Sequence, residues 1–499
     1  MYLLGYDIGS SSVKAALVDA QSGKTLATAQ SPDKEMDMIA HQAGWAEQHP
    51  TTWWEHVCTA TKQLLNTTGI VADKIQGIGI AYQMHGLVAV DQEQNVLRPA
   101  IIWCDSRAVE IGNRAFEAIG HEKCLSHTLN SPANFTASKL KWVKENEPAL
   151  YEKIDKVMLP GDYIAMRLTG TILSTPSGLS EGILWDFRTD EVANIIVNHY
   201  GFERSMIPEV QPTFSLQGKV TAAAAQATGL AVDTPVSYRA GDQPNNALSL
   251  NVLQPGEVAA TGGTSGVVYG VLDQAVYDPA SRVNAFAHVN HSKAQPRIGI
   301  LLCINGAGIQ YKWLKAQIGA KGISYEAMNQ MAASIPVGSD DLRILPFGNG
   351  AERMLENRDI GASILNLQFN RHEQSHLYRA ALEGIAFSFV YGVRILQELG
   401  VNSSTIKVGN DNLFRSNIFS QTICNLLQNN IQIVDTNGAV GAAKAAGVAT
   451  GIYTSAEEAM QDVALLSTYE PNHANEAYVA AYERWEQDLN SMTQKNAIT

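Results

Sequence analysis

The chain opens on Leu3-Leu4-Gly5-Tyr6-Asp7-Ile8-Gly9-Ser10-Ser11-Ser12-Val13-Lys14. A carboxylate closing an apolar strand, followed by glycine and three hydroxyl residues, suits phosphate chemistry. The N–H groups of the turn at Gly9–Ser12 can face phosphate oxygens while Asp7 holds a hydrated Mg²⁺. A plain polar β-hairpin accounts for the same residues equally well. No G-x-x-x-x-G-K-[ST] occurs, and no G-x-G-x-x-G lies between strand and helix, so P-loop and dinucleotide-binding readings lack support. A second carboxylate sits in Ala240-Gly241-Asp242-Gln243, after the apolar run Val236–Arg239. An Asp there can meet a substrate hydroxyl, and a simple Gly-Asp turn is the alternative. A third group is Gln83-Met84-His85-Gly86 with nearby Trp103-Cys104-Asp105-Ser106-Arg107. An aromatic face for a carbon skeleton, with a carboxylate and a guanidinium for hydroxyls, is sugar-binding chemistry. Asp105 and Arg107 serve equally as a structural ion pair, and His85 taken by itself reads as a hydrogen-bonded core or turn histidine rather than a ligand.

These residues need a frame, and an internal echo suggests one. Gly9-Ser10-Ser11-Ser12-Val13 is answered 254 residues later by Gly263-Thr264-Ser265-Gly266-Val267, and each is followed by an apolar strand ending in Asp. The offset halves the chain, as expected of two related domains that each open with a donor-rich hairpin. Short β-rich runs (Ile75–Ala81, Leu87–Val90, Ile431–Val434) alternate with helical stretches (Trp53–Leu65, Leu377–Leu399), the pattern of an α/β protein. The Gly/Ala-rich segment Gly438–Gly451 predicts a closely packed helix. Tyr478, Tyr482, Trp485 and Leu489 predict one apolar helix face for docking on the core. The Pro-Gly turn within 245–257 marks the seam. The domains are accordingly placed at 1–247 and 248–499.

Composition narrows the class. The 499 residues are 45% hydrophobic and 17% charged, which is ordinary globular content. A net charge of −13 without any Lys/Arg run offers no electrostatic footprint for nucleic acid or an anionic membrane. Five scattered cysteines without C-x-x-C read as reduced thiols. The N-terminus has no signal-peptide pattern and no run reaches the apolar length of a membrane span, so a cytoplasmic protein is expected.

With its paired hairpins and seam carboxylate, the sequence resembles the FGGY carbohydrate kinases over essentially its whole length. Asp7–Lys14 and Thr264-Ser265-Gly266 match the family's two phosphate motifs. Thr136–Asn146 and Ala362–Glu383 match its two signatures, with Asn134 and Asn366 as departures. Gln83-Met84-His85-Gly86 and Trp103-x-Asp105-x-Arg107 are similar to the xylulokinase subgroup, where Met and His meet the ketose. The resemblance implies two ribonuclease-H-like (actin-like ATPase) domains around an inter-domain cleft, with ATP and Mg²⁺ as cofactors. It implies Asp242 as general base and Asp7 as metal-orienting carboxylate. Gln83, Met84, His85, Trp103, Asp105, Arg107 and Gln243 are the implied acceptor residues. Gly9, Ser10, Ser11, Ser12, Lys14, Gly263, Thr264, Ser265, Gly308, Gly409 and Asn410 are the implied nucleotide residues. D-xylulose is the expected acceptor, with ribulose, glycerol or gluconate as rivals. A non-catalytic actin-like switch is the rival from another class, and assembly as a homodimer is left open. The poorest match is Gly409-Asn410-Asp411-Asn412, where only Gly409 survives of the family's glycine cluster.

Overall fold

The computed structural model describes residues 1–410, 413–472 and 475–495. Tyr2–Ile8 (β1) turns into Val13–Asp19 (β2), which pairs antiparallel with Thr25–Ser31 (β3). Ile75–Tyr82 (β4) and Val236–Gly241 (β5) add in parallel on the other side of β1, giving the order β3-β2-β1-β4-β5. The second half repeats this path. Val258–Gly262 (β6) and Gly266–Leu272 (β7) form a hairpin, which Asn284–Ala287 (β8) and Ile298–Ile304 (β9) extend antiparallel. Thr405–Gly409 (β10) and Asn430–Asp435 (β11) continue in parallel from β6, and Ala464–Tyr469 (β12) closes that edge antiparallel. The order β8-β9-β7-β6-β10-β11-β12 therefore contains the first sheet's pattern, and the sequence echo marks a repeated fold.

Helices cover both faces of the first sheet, which explains why β1 and β4 read as nearly unbroken apolar runs. On one side lies Pro50–Thr68 (α1), burying Trp53, Val57, Ala60 and Leu64 at helical spacing. Thr136–Asn146 (α2) builds the wall beyond the first sheet, and Asp242–Ser249 (α3) starts directly at the end of β5. In the second half, Gly308–Ile318 (α4) follows β9, and Gln374–Glu398 (α5) runs through the core. The helix α5 is long and apolar enough to cross a membrane, but 83% of its most apolar window is buried inside the protein. The Ala/Gly helix Gly438–Ala449 (α6) belongs to the second half yet lies on the first sheet. A Cβ on Gly5 would sit 2.0 Å from the Ala439 carbonyl oxygen, and one on Gly79 1.9 Å from that of Ala442. Only hydrogen fits at those two strand positions, so helix and sheet backbones touch. A division at 247/248 falls inside α3, and α6 crosses back over it. The two halves interlock through these helices. Finally, Glu476–Lys495 (α7) buries Tyr482, Trp485 and Leu489, with the Trp485 indole N–H donating to the Ile344 carbonyl (2.9 Å).

Candidate active site

Three parallel strands, β1, β4 and β5, end at the same edge, with Ile8 opposite Tyr82 and Tyr82 opposite Gly241. Strand register thereby gathers Asp7, Gln83 and Asp242, which are remote in sequence, into one place. They share a cavity of about 510 Å³ with Gly9, Ser10, Ser11, Ser12, Lys14, Met84, His85, Trp103, Gln243 and Ser265. The second hairpin thus reaches the cavity through Ser265. Gly263 and Thr264 turn to α4 instead, accepting the N–H of Gly308 (3.2 Å) and Ile309 (2.9 Å). Gly409 ends β10 beside β6, and the side chain and carbonyl of Asn410 both accept from Arg415 (3.0 Å each). Asp411 and Asn412 lie outside the described residues.

The charges are set by burial. Asp242 begins α3 with its carboxyl deep in the cleft. Burial first, and then the neighbouring Asp7 charge, push its pKa up to about 7. Burial also raises Asp7, against the pull of Lys14 across the hairpin. Two carboxylates crowded in low dielectric resist double ionisation, which poises one of them near neutrality. Asp7 is backed by the start of α6, where a Cβ on Gly438 would come within 2.8 Å of its Oδ2. The helix N-terminus there favours negative charge. Beside Asp242, burial raises Glu181 well above the ordinary carboxylate value, and the Asp242 and Asp162 charges add to the shift.

His85 sits at φ 62° and is held from two sides. Its Nδ1 lies 2.8 Å from the Glu181 carbonyl oxygen, so Nδ1 must carry the proton and Nε2 is left as an acceptor. Burial depresses its pKa to about 3, so the ring stays neutral. Lys139 of α2 donates from Nζ to the carbonyls of His85 and Ile102 (2.9 Å each), tying the ends of both sugar-site segments together. Burial pulls the Lys139 pKa down to about 7. Gln83 is 3% exposed, with neither its amide nitrogen nor its oxygen hydrogen-bonded within the protein. At a cavity wall such an amide presents a donor and an acceptor that the protein itself does not engage. Trp103 stands at the rim, half exposed, its indole N–H 3.3 Å from the Ser10 hydroxyl. An apolar face and a hydroxyl-rich rim are thus offered together.

Asp105 and Arg107 are a correction to the acceptor set: they do not line the cavity. The Asp105 carboxylate accepts the Ala46 N–H (2.6 Å) and is bridged by Arg107 (2.7 Å). Arg107 also pairs with Glu47 (2.7 Å) and stacks on Trp45, 3.8 Å from the ring centre. Held by these contacts, the pair buttresses the Trp103 loop. The structural alternative is the one observed. Conversely, the cavity contains residues that sequence motifs did not single out as ligands. Phe135 packs edge-on to His85, while Asn134 and Asn284 each keep a buried side-chain oxygen without a partner. Asn134 was legible only as a departure from the first signature. Asn366, the departure in the second, adopts φ 58°, the backbone state for which glycine is usual and which Asn tolerates.

Family models place this geometry. The N-terminal domain of the FGGY family of carbohydrate kinases matches residues 2–249, and the C-terminal domain matches 258–450. The chain belongs to the FGGY carbohydrate kinases. It is an enzyme that phosphorylates a sugar-like acceptor, with ATP the donor that the family implies. This FGGY kinase is 31% identical to the xylulose kinase of Bacillus subtilis (strain 168), over 92% of this chain and 90% of that protein. It is 30% identical to the L-xylulose/3-keto-L-gulonate kinase of Escherichia coli (strain K12), over 97% and 96%. The crystal structure of xylulose kinase from Rhodospirillum rubrum superposes with a TM-score of 0.89 at 26% identity, covering all of both chains.

The donor set is compatible with Mg²⁺. A magnesium ion in a phosphotransfer site needs one or two carboxylates, with waters and phosphate oxygens completing the shell. Asp7 supplies a carboxylate at the cavity head, beside turn hydroxyls and opposite Ser265. Among the described residues no cluster of three or more His, Cys, Asp or Glu offers a complete protein cage.

Proposed function

We propose that this FGGY kinase transfers the γ-phosphoryl group of ATP to a ketopentose, with D-xylulose giving D-xylulose 5-phosphate. The observation that carries the reading is Asp242, a carboxylate poised near pH 7 in the same cavity as the neutral acceptor His85. Asp242 takes the proton from the attacking hydroxyl as the new O–P bond forms. Gln83 and the Nε2 of His85 orient the acceptor's oxygens, Met84 and Phe135 face its carbon chain, and Trp103 closes the rim. The hairpins at Gly9–Ser12 and Gly263–Ser265 hold phosphate oxygens from opposite sides, and Lys14 faces the transferred group. Mg²⁺ at Asp7 would neutralise phosphate charge. The acceptor reading is supported by the xylulose kinases among its relatives at 26–31% identity. A relative acting on L-xylulose and 3-keto-L-gulonate keeps keto sugars of other configuration as the rival acceptors. Sugar-dependent ADP release over D-xylulose, L-xylulose, ribulose, 3-keto-L-gulonate, glycerol and gluconate tests this. The expected outcome is the highest kcat/KM for D-xylulose, and a clear preference for glycerol or gluconate would refute it.

A further inference from the structure

Between β9 and α5 the chain makes a short turn through Glu352 and Arg353 that touches two regions at once. Glu352 is completely buried. Its carboxylate oxygens accept the backbone N–H groups of Asn305 and Gly306 (3.1 Å each), and the Asn305 amide donates back to the Ala351 carbonyl (2.9 Å). Two residues further, Gly308 and Ile309 donate to the carbonyls of Gly263 and Thr264. Glu352 therefore anchors the loop on which the second phosphate hairpin rests. Arg353 points the other way. Its guanidinium enters the acceptor cavity, close enough to His85 and Cys303 to act on both electrostatically. Among the described residues its one hydrogen bond is a long one, from Nη1 to the Ser281 carbonyl (3.4 Å), and none of their carboxylates pairs with it. A guanidinium has five N–H donors, and with a single long internal bond most of them are left to face the cavity, where a ligand's oxygens can take them up. It faces the acceptor wall built by the first half, so one ligand can be gripped by both halves.

We propose that Arg353 binds acceptor oxygens from the second half of the protein, and that Glu352 passes its position to the loop carrying the nucleotide-phosphate hairpin. This rests on the reading of the cavity as the acceptor site of a sugar kinase. A bound polyhydroxy ketone fixes the guanidinium, the guanidinium fixes the turn, and the turn fixes Asn305–Gly306. Acceptor and nucleotide should then bind cooperatively, and linkage requires the effect to be the same in both directions.

The test is calorimetric titration of D-xylulose and of Mg²⁺ with a non-hydrolysable ATP analogue, each alone and with the other present. Where another sugar is the best acceptor of the panel, it replaces D-xylulose. In the wild type, sugar should tighten the analogue several-fold. Arg353→Ala should weaken sugar about tenfold or more, leave the analogue alone within about twofold, and abolish the tightening. Arg353→Lys keeps the charge and should recover part of the sugar affinity. Glu352→Gln should leave sugar alone within about twofold, weaken the analogue and abolish the tightening. A merely structural arginine would lower the melting temperature without touching these ratios. Sugar affinity within about twofold of wild type in Arg353→Ala, or in Arg353→Lys should the alanine variant not melt normally, overturns the proposal. Intact tightening in Glu352→Gln overturns the link to the loop. If the wild type binds no acceptor of the panel, the sugar-site reading itself has failed, and that result is separate from any change between variants.

Discussion

The two hairpins share one topology and differ in charge. In the first, Asp7 pairs in register with Lys14 at the mouth of the turn. In the second, the position 254 residues on from Asp7 is Thr261, in register with Val267. The strand after each parallel pair also diverges. The first sheet's β5 delivers Asp242 into the cleft, whereas the second sheet's β11 leads through Asn437 to Gly438, which packs on Asp7. A duplicated sheet supplies backbone donors twice. The two carboxylates that line the cavity, Asp7 and Asp242, both come from the first half, and the second half's charged contribution there is the Arg353 guanidinium.

That asymmetry can be broken at its strongest point first. Asp242→Asn keeps shape and most hydrogen bonding but removes the proposed base, and we expect kcat to fall by at least about a hundredfold with near-normal ligand binding. The same variant has a stability signature. A carboxyl whose pKa is raised from 3.8 to about 7 on folding stabilises the fold when protonated, and that contribution is lost as pH rises through 7. The amide should therefore raise the melting temperature at pH 8 and not at pH 4. More than about a tenth of wild-type kcat, with chemistry rate-limiting, would remove Asp242 from the mechanism.

A second comparison sets Asp7→Asn against Thr261→Val. The first should cost about a hundredfold in kcat and shift the Mg²⁺ dependence to higher concentration, while the second should cost less than about threefold. Equal losses would mean that both hairpins do the same work. In the wild type, kcat/KM should decline below pH 7 as free-enzyme Asp242 takes up its proton, and it should fall about tenfold per pH unit well below that point. His85 should add no inflection between pH 5 and 8, because it stays neutral there.

Smaller effects belong to specificity. His85→Ala removes one acceptor for a sugar hydroxyl, and it should raise the sugar KM by roughly tenfold, about 1.4 kcal/mol, with ATP affinity unchanged. In the turn proposed to meet the nucleotide's base, Asn410 and Asp411 take the place of the glycines that the family resemblance leads one to expect. Backbone and shape are then expected to hold the base, and GTP should support turnover within about tenfold of ATP. Discrimination by several orders of magnitude would show that this turn reads the base closely.

Local chemistry was legible in the sequence wherever a motif is contiguous. Asp7 through Lys14 spells a donor-rich hairpin, the echo at Gly263 announces its repeat, and the strands and long helices follow from their apolar periodicities. Gly438–Gly451 was readable as a tightly packed helix, but not that the helix observed over Gly438–Ala449 packs on the other half's sheet. That depends on Gly5 and Gly79, which lie more than 350 residues away and admit backbone contact. Asp105 and Arg107 could not be assigned from their spacing, because a surface-facing and an inward-facing pair have the same sequence. Only Ala46, Glu47 and Trp45 packed around them decide the matter. Arg353 and Asn284 carry no local pattern that marks them as cleft residues. Their roles arise where two sheets, built from opposite ends of the chain, close on one cavity. Sequence alone determined which elements form and which turns can cradle phosphate, because those properties are set by neighbours along the chain. Tertiary structure decided which charges are buried, which are paired and which face the acceptor, because desolvation and hydrogen bonding depend on residues that meet only after folding.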